Sequence, residues 1–168
     1  MTQSTIEISP IGIIHSPFKN PEGTPIQPRA AKGARGKVKI QPQFCEGLRD
    51  LDGFERIWLV YWFHRSHSFK LRTVPFRDSE PRGIFASRAP ARPNGIGISA
   101  VKLIGISGDT LTIADVDIID GTPLLDIKPY VPEFDAFKVS RCGWLDRDTS
   151  GRTTADRRFS KNAGPNSD

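Results

Sequence analysis

The chain has 168 residues, 37% of them hydrophobic and 26% charged, with a formal net charge of +5; this suits one domain with a substantial core and is short for two. No apolar run approaches the roughly 20 residues of a membrane-crossing helix, and the opening MTQSTIEISP lacks the basic start and apolar stretch of a targeting signal, so a soluble cytoplasmic protein is expected. Cys45 and Cys142 have no cysteine or histidine at ligand spacing, which argues against zinc and leaves both as free thiols; no metal is expected.

In chain order, Ile6 to His15 alternates and then runs apolar, reading as a first strand closed by Ser16-Pro17. Asn20 to Arg35 is a loop rich in Pro, Gly and basic residues, long enough for so small a domain to suggest function or mobility. Gly36 to Ile40 has strand alternation, and Glu46 to Leu51 has leucine spacing for a short helix. Arg56 to His64, RIWLVYWFH, is rich in β-formers and reads as a central strand covered on both faces. Ser66 to Arg82 is a second long basic loop containing Pro75 and Pro81. Gly83–Ser87, Gly97–Ile106, Thr110–Ile119 and Leu124–Pro129 read as further strands, with Ser107-Gly108-Asp109 turning between the middle two. Six or seven strands with scarcely any helix predict a mainly β fold, a small closed or partly open β-barrel or a sandwich, over residues 1–138. Residues 139–168 form a basic tail carrying Arg152, Arg157, Arg158 and Lys161, expected to be ordered only in part unless a partner orders it.

Charge is unevenly spread. Between Arg56 and Arg92 eight Lys/Arg face only Asp78 and Glu80, a net of +6 that exceeds the whole-chain surplus, and Arg29, Lys32, Arg35, Lys37 and Lys39 form a second basic cluster. An anionic partner fits this distribution. No Walker loop, dinucleotide-binding glycine motif, nucleophile elbow or zinc helix is present.

Two segments carry more chemistry than connectors require. GIFASRAPARPNGIGIS, residues 83–99, packs Arg88, Arg92, Pro90, Pro93, Asn94, Gly95 and Gly97 into one stretch. Proline fixes φ and glycine admits unusual backbone paths, so the loop is either a proline-rich turn with solvated arginines or a rigid presenter of amides and guanidinium groups. DGTPLLDIKPY, residues 120–130, opens with turn chemistry and continues with Asp126, Lys128 and Tyr130 at alternate positions. That row is either a solvated edge or a polar site.

Together these segments resemble the signature of the TsaA-like (TrmO, YaeB-like) family of S-adenosylmethionine-dependent tRNA methyltransferases, whose usual forms are GxFATRxPxRPNPIGxS and DGTPxxDIKPY. Supporting blocks are IGIIHSPFK at 11–19, Gln27-Pro28, and GLRDLDGFERIWLVYWFH at 47–64. The resemblance spans residues 9 to about 138 in the right order. It implies a small β-barrel that binds S-adenosylmethionine without a Rossmann fold, works as a homodimer, and methylates N6 of N6-threonylcarbamoyladenosine beside the tRNA anticodon. By position it places the cofactor against Gln27, Pro28, Arg29, His64, Arg65, Arg88, Ile98, Asp120, Gly121, Thr122 and Pro123. His64, ending an aromatic strand, reads from its own position as a capped core residue and becomes a cofactor contact only through the resemblance.

Methyl transfer from a sulfonium is an in-line displacement, so positioning is the main demand. Asp120 suits an ammonium or ribose hydroxyl, and Arg88 suits a carboxylate or phosphate. The urea-like nitrogen of the implied substrate must lose a proton; Asp126 and Tyr130 are candidate bases, with Asn94 holding the carbonyl. Arg92 and Lys128 are assigned to the substrate side, Arg92 toward the tRNA backbone or threonyl carboxylate. The basic loops would steer phosphates.

Departures from the family pattern are Gly95 for proline, Arg29 for glycine and Arg65 for glutamine. The additional C-terminal domain of longer bacterial members finds no match in these residues, which leaves open a different nucleoside, a different tRNA set, or a tail that substitutes for that domain. Rival readings are an S-adenosylmethionine-dependent methyltransferase of another RNA or a small molecule, a non-catalytic RNA-binding barrel, and a structural dimer with a cofactor-like pocket.

Overall fold

The computed structural model describes residues 5–148 and 150–159. Eight strands are present: β1 (Gly12–His15), β2 (Arg35–Ile40), β3 (Arg56–Trp62), β4 (Arg72–Thr73), β5 (Arg82–Gly83), β6 (Ile96–Ser107), β7 (Thr110–Ala114) and β8 (Thr122–Pro129). Six of them close an antiparallel barrel in the order β1-β2-β7-β6-β3-β8, while β4 and β5 form a separate two-stranded ribbon. The expected mainly β barrel is the fold observed.

Alternation explains the closure. Ile14, Val38, Ile40, Ile57, Leu59, Val101, Leu111, Ile113 and Leu124 point inward and are buried. Each such aliphatic chain contributes roughly 1.5–3 kcal/mol by leaving water, and closure removes the unpaired edges an open sheet would expose. The β6–β7 hairpin turns through Gly108 at φ 58°, the left-handed conformation that a two-residue connection favours. Bulges between Val60 and Tyr61 on the β3–β8 ladder, and between Leu103 and Gly105 on the β6–β7 ladder, tighten the curvature of a small barrel.

Several expected elements differ. Only Gly12–His15 of the first segment is strand. The anticipated helix at 46–51 is replaced by 3₁₀ turns at Pro42–Leu48 and Leu51–Gly53. β3 buries one face only, with Ile57, Leu59 and Tyr61 inside and Trp62 51% exposed outside; a barrel wall has just one covered side. Gly83–Ser87 does not continue as a strand, because the chain leaves β5 directly into a 3₁₀ turn at Ile84–Ala86. The basic loop at 66–82 holds the short β4–β5 ribbon.

The most consequential difference lies after Ala114. Asp115 adopts φ 61° and ends β7 there, accepting from Gly33 N at 2.9 Å and from Arg56 Nη2 at 2.7 Å. The chain then crosses one end of the barrel. Val116 and Ile118 plug the core, both buried, while Asp117 and Ile119 between and beyond them face a cavity.

Beyond the barrel, Pro132–Asp135 forms one helical turn. The tail runs back over the surface: Thr154 bridges Pro25, Ile26 N donates to Thr153 O at 3.0 Å, and Gly23 and Ala155 amides donate to Ala155 O and Thr24 O at 2.9 and 2.8 Å. Lys161 and the rest of 160–168 lie outside the described residues.

Candidate active site

One cavity of about 280 Å³ opens at the end of the barrel where β3 finishes and β8 begins, near the lower bound of roughly 300–1,000 Å³ usual for small-molecule sites. Five remote segments build it: the loop through Pro21 and Thr24–Gln27, the end of β3 with Phe63–Ser66, Phe76 of the following loop, the 87–98 loop, and 117–122, with Ala155 of the tail closing one side. Ile26, Phe63, Ile96, Ile98 and Ile118 supply apolar walls, and Arg88, Gln27 and Asp117 supply polar groups.

The 87–98 loop is held by its own arginine. Arg92 Nη1 donates to Ile84 O at 3.2 Å and Ser87 O at 2.8 Å, its guanidinium 5.9 Å from the Phe85 ring centre. Satisfying two loop carbonyls fixes the path that carries Arg88. Arg88 Nη1 then reaches across to Gln27 Oε1 at 2.8 Å, joining two walls. Gly97 has a specific reason to be glycine, since a Cβ there would sit 2.3 Å from the Tyr61 ring. The absent methyl lets Tyr61 lie flat across β6 and reach Ser99, with Tyr61 Oη and Ser99 Oγ 3.1 Å apart.

Asp117 is the least conventional group here. Its Oδ1 is buried without a hydrogen-bond partner among the described residues, and burial pushes its carboxyl up to about 6, while the Ser99 hydroxyl and the Arg88 charge act in the opposite direction. Burial, reinforced by the nearby Asp117 charge, also drives the Tyr61 phenol far upward, so Tyr61 stays protonated. Desolvation, then the Arg65 charge, lowers His64 and favours its neutral form.

Of the residues singled out by sequence, Gln27, His64, Arg65, Arg88, Arg92, Ile98 and Thr122 line this one cavity. Pro28 and Arg29 begin the adjoining 3₁₀ turn outside the lining, and Asn94 is exposed with its carbonyl accepting from Ile96 N at 2.7 Å. Asp120, Gly121 and Pro123 also lie outside it. Asp120 instead staples the 15–19 loop, its oxygens taken by Ser16 N at 3.0 Å and Lys19 Nζ at 2.6 Å, with His15 Nδ1 at 3.3 Å. The Lys19 bond and the Ser16 amide hold its pKa down near 2. The Gly121 amide is committed to Ile14 O at 2.9 Å.

Asp126, Lys128 and Tyr130 share an outer face, as their alternation suggests. Asp126 is four residues along β8 from Thr122, roughly 13 Å of strand, bordering a second cavity with Ile11, Phe44 and Ile127. It pairs with Lys128 Nζ at 2.8 Å, and Tyr130 packs on Trp58 at 5.5 Å between ring centres. Asp117 belonged to no motif. Its one sequence signal is a slip in phase, from Leu111 and Ile113 to Val116 and Ile118, which marks a break in the strand.

Residues 13–136 match the model of the tRNA-methyltransferase O N-terminal domain. The chain belongs to this family. Among its TrmO-family relatives, a probable S-adenosyl-L-methionine-binding protein of Pyrococcus abyssi is 56% identical over 138 residues, covering 82% of this chain and 75% of that one. A tRNA (adenine(37)-N6)-methyltransferase of Mus musculus is 36% identical, covering 76% of this chain and 31% of its own length. The crystal structure of TrmO from Pseudomonas aeruginosa superimposes with a TM-score of 0.74 at 40% identity, over 86% of this chain and 65% of that one. The present chain therefore spans about two thirds of that solved TrmO and under a third of the mouse relative. Among the described residues no helix is long and apolar enough to cross a membrane, and no group of His, Cys, Asp and Glu could hold a metal.

Proposed function

We propose that this chain is an S-adenosylmethionine-dependent tRNA methyltransferase acting on N6 of adenine 37, and that the adenine it receives carries a threonylcarbamoyl group. The observation that carries the reading is the single cavity joining Gln27, His64, Arg65, Arg88, Ile98 and Thr122 from segments remote in sequence. The cavity fits the cofactor chemically: apolar walls suit an adenine and methylene groups, the Arg88 guanidinium suits a carboxylate, and the partnerless oxygen of Asp117 calls for a donor. When bound, the cofactor supplies an electrophilic methyl group.

What the chain itself contributes is placement. Gln27 and Arg88 hold each other across two walls of the cavity, while Arg92 locks the loop that carries Arg88. Apolar side chains exclude water from the reacting end, which strengthens every polar contact inside. Neutral His64 lines the same wall and adds no positive charge beside a cationic ligand. Asp126, Tyr130 and Asn94, outside the cavity, belong in this proposal to the face that receives the modified base. Arg35 and Lys37 project from the outer face of β2 with no ion-pair partner among the described residues, and Lys37 lies opposite His15 at the end of the barrel bearing the cavity. With exposed Arg29 and Lys32 they offer a path for tRNA phosphates.

The exposed Trp62, Ile96 and Ile98 beside the cavity support a homodimer. The deciding experiment measures methyl incorporation into tRNA with and without the threonylcarbamoyl group, followed by mass spectrometry of its nucleosides. Incorporation confined to the modified tRNA is expected. Equal incorporation into both would remove the threonylcarbamoyl requirement, and none into either would remove the tRNA reading.

A further inference from the structure

The half-buried acid lining the cavity has no role in the family signature as read from sequence, yet it is costly to maintain. A carboxyl oxygen shut away from water without a donor forfeits its solvation; such groups in native folds are ordinarily satisfied by protein or ordered water, and one that is not calls for a functional explanation. Asp117 Oδ1 is such an oxygen. Its surroundings are fixed rather than loose: Val116 and Ile118 on either side are buried in the core, and Ser99, 1% exposed, is held by Tyr61 at 3.1 Å. A protonated Tyr61 can donate to Ser99, and the Ser99 proton is then left for the carboxylate.

Opposite this acid stands Arg88, whose charge is felt by both Asp117 and Tyr61. Arg88 bonds Gln27, and no ion pair joins it to Asp117. One cavity thus holds a cation and an anion that do not quench each other. That arrangement matches a zwitterion whose ammonium and carboxylate hang from a single carbon, and the proposed cofactor ends in such an α-amino acid. We propose that Asp117 receives the ammonium of the cofactor's amino-acid end while Arg88 receives the adjoining carboxylate. A ribose hydroxyl would fill the oxygen without balancing the charge, and a sulfonium would balance the charge without offering a proton. A base for the substrate nitrogen must meet tRNA at the mouth, whereas this carboxyl oxygen is shut away from water.

The inference rests on the cofactor assignment, and calorimetry on the full chain separates the two. The ligands are S-adenosylmethionine, S-adenosylhomocysteine, the des-amino analogue of S-adenosylhomocysteine and methylthioadenosine, which lacks the amino-acid end. Wild-type protein should bind the des-amino analogue at least about tenfold more weakly than S-adenosylhomocysteine, the loss expected for one charge-assisted hydrogen bond. Asp117→Asn should lose about the same factor toward both S-adenosylmethionine and S-adenosylhomocysteine, while keeping its affinity for methylthioadenosine and for the des-amino analogue. The comparison in wild-type protein holds even if the variant fails to fold. Weakening of S-adenosylmethionine alone would overturn the proposal in favour of the sulfonium, and equal weakening of methylthioadenosine would overturn it in favour of the nucleoside. Unchanged affinities with lost turnover would overturn it in favour of a base. Wild-type protein that binds methylthioadenosine and S-adenosylhomocysteine equally refutes the ammonium site and leaves the cofactor assignment standing; wild-type protein that binds none of the four refutes both.

Discussion

Asp117 and Gly97 show how much of this site hangs on single atoms. Burial raises the Asp117 carboxyl from its ordinary 3.8 to about 6, so the folded protein holds that proton more tightly than the unfolded chain. Folding is therefore unpenalised below pH 3.8, the penalty grows as pH rises toward 6, and above 6 it is constant. At 1.36 kcal/mol per unit the full penalty is on the order of 3 kcal/mol. Asp117→Asn removes the charge but leaves an amide short of a partner, so a net gain of about 1–2 kcal/mol is expected at about pH 8, turning into a net loss of about 1–2 kcal/mol near pH 3.5. Thermal unfolding at both pH values checks this, and a variant no more stable at the higher pH would mean that the carboxyl is better solvated than its geometry indicates. Gly97→Ala runs the other way. A methyl 2.3 Å from the Tyr61 ring must displace that ring and with it the bond to Ser99, at a cost of about 1–3 kcal/mol or more. Both the unfolding midpoint and the cofactor affinity should fall. Gly95, by contrast, would place a Cβ at an ordinary 3.4 Å from Trp62, so Gly95→Ala is expected to leave both unchanged.

The loops and the tail behave as one element around the cavity. Arg158 anchors the tail, donating through Nη1 to Pro75 O at 2.7 Å and Val74 O at 3.3 Å, with its guanidinium 5.5 Å from the Phe76 ring centre. Three backbone hydrogen bonds then tie residues 153–155 to 23–26, and Thr24, Pro25, Phe76 and Ala155 all line the cavity. The tail therefore cross-links two loops that have little core of their own. Arg158→Ala should speed hydrogen exchange at the amides of Gly23, Ile26 and Ala155 and weaken cofactor binding about fivefold, near 1 kcal/mol, with the barrel's unfolding midpoint little changed. Unchanged exchange at those amides would mean that the backbone bonds hold the tail without its arginine. Sequence composition gives no sign of these contacts, because the tail's polar residues carry no periodicity. Its contacts are made by backbone groups and guanidinium groups, those of Arg158 and of Arg157, which donates to Glu22 Oε2 at 2.8 Å, and these leave no hydrophobic pattern to read.

At the scale of the molecule, the proposed function gives the basic rim to encounter with tRNA and the outer apolar strip to assembly. Lys37→Ala should lower tRNA affinity and reduce the slope of log affinity against log salt by about 0.7–0.9, the share of one phosphate contact; an unchanged slope would take Lys37 off the tRNA path. Trp62, 51% exposed on the outer face of β3 opposite Ile96, should bury itself on association, so Trp62→Glu is expected to shift sedimentation equilibrium from dimer to monomer.

The barrel and the family were legible in the amino-acid sequence alone. Inward Ile, Val and Leu at every second position admit little else than a half-buried sheet, and GIFASRAPARPNGIGIS with DGTPLLDIKPY is local text whose order survives without coordinates. The same text carried Gln27, Arg88, Ile98 and Thr122 to one cavity, because those residues sit inside it or in its supporting blocks. It took the folded chain to show that Asp120 turns to the 15–19 loop, that Asp126 and Tyr130 stand on the outer wall, and that Asp117 lines the cavity. Burial and field are properties of a place, not of a residue's neighbours in the chain. Asp117 owes its environment to Tyr61, Arg88 and Ser99, which lie 56, 29 and 18 positions before it, and no local pattern encodes what strands brought together by closure do to a carboxyl between them.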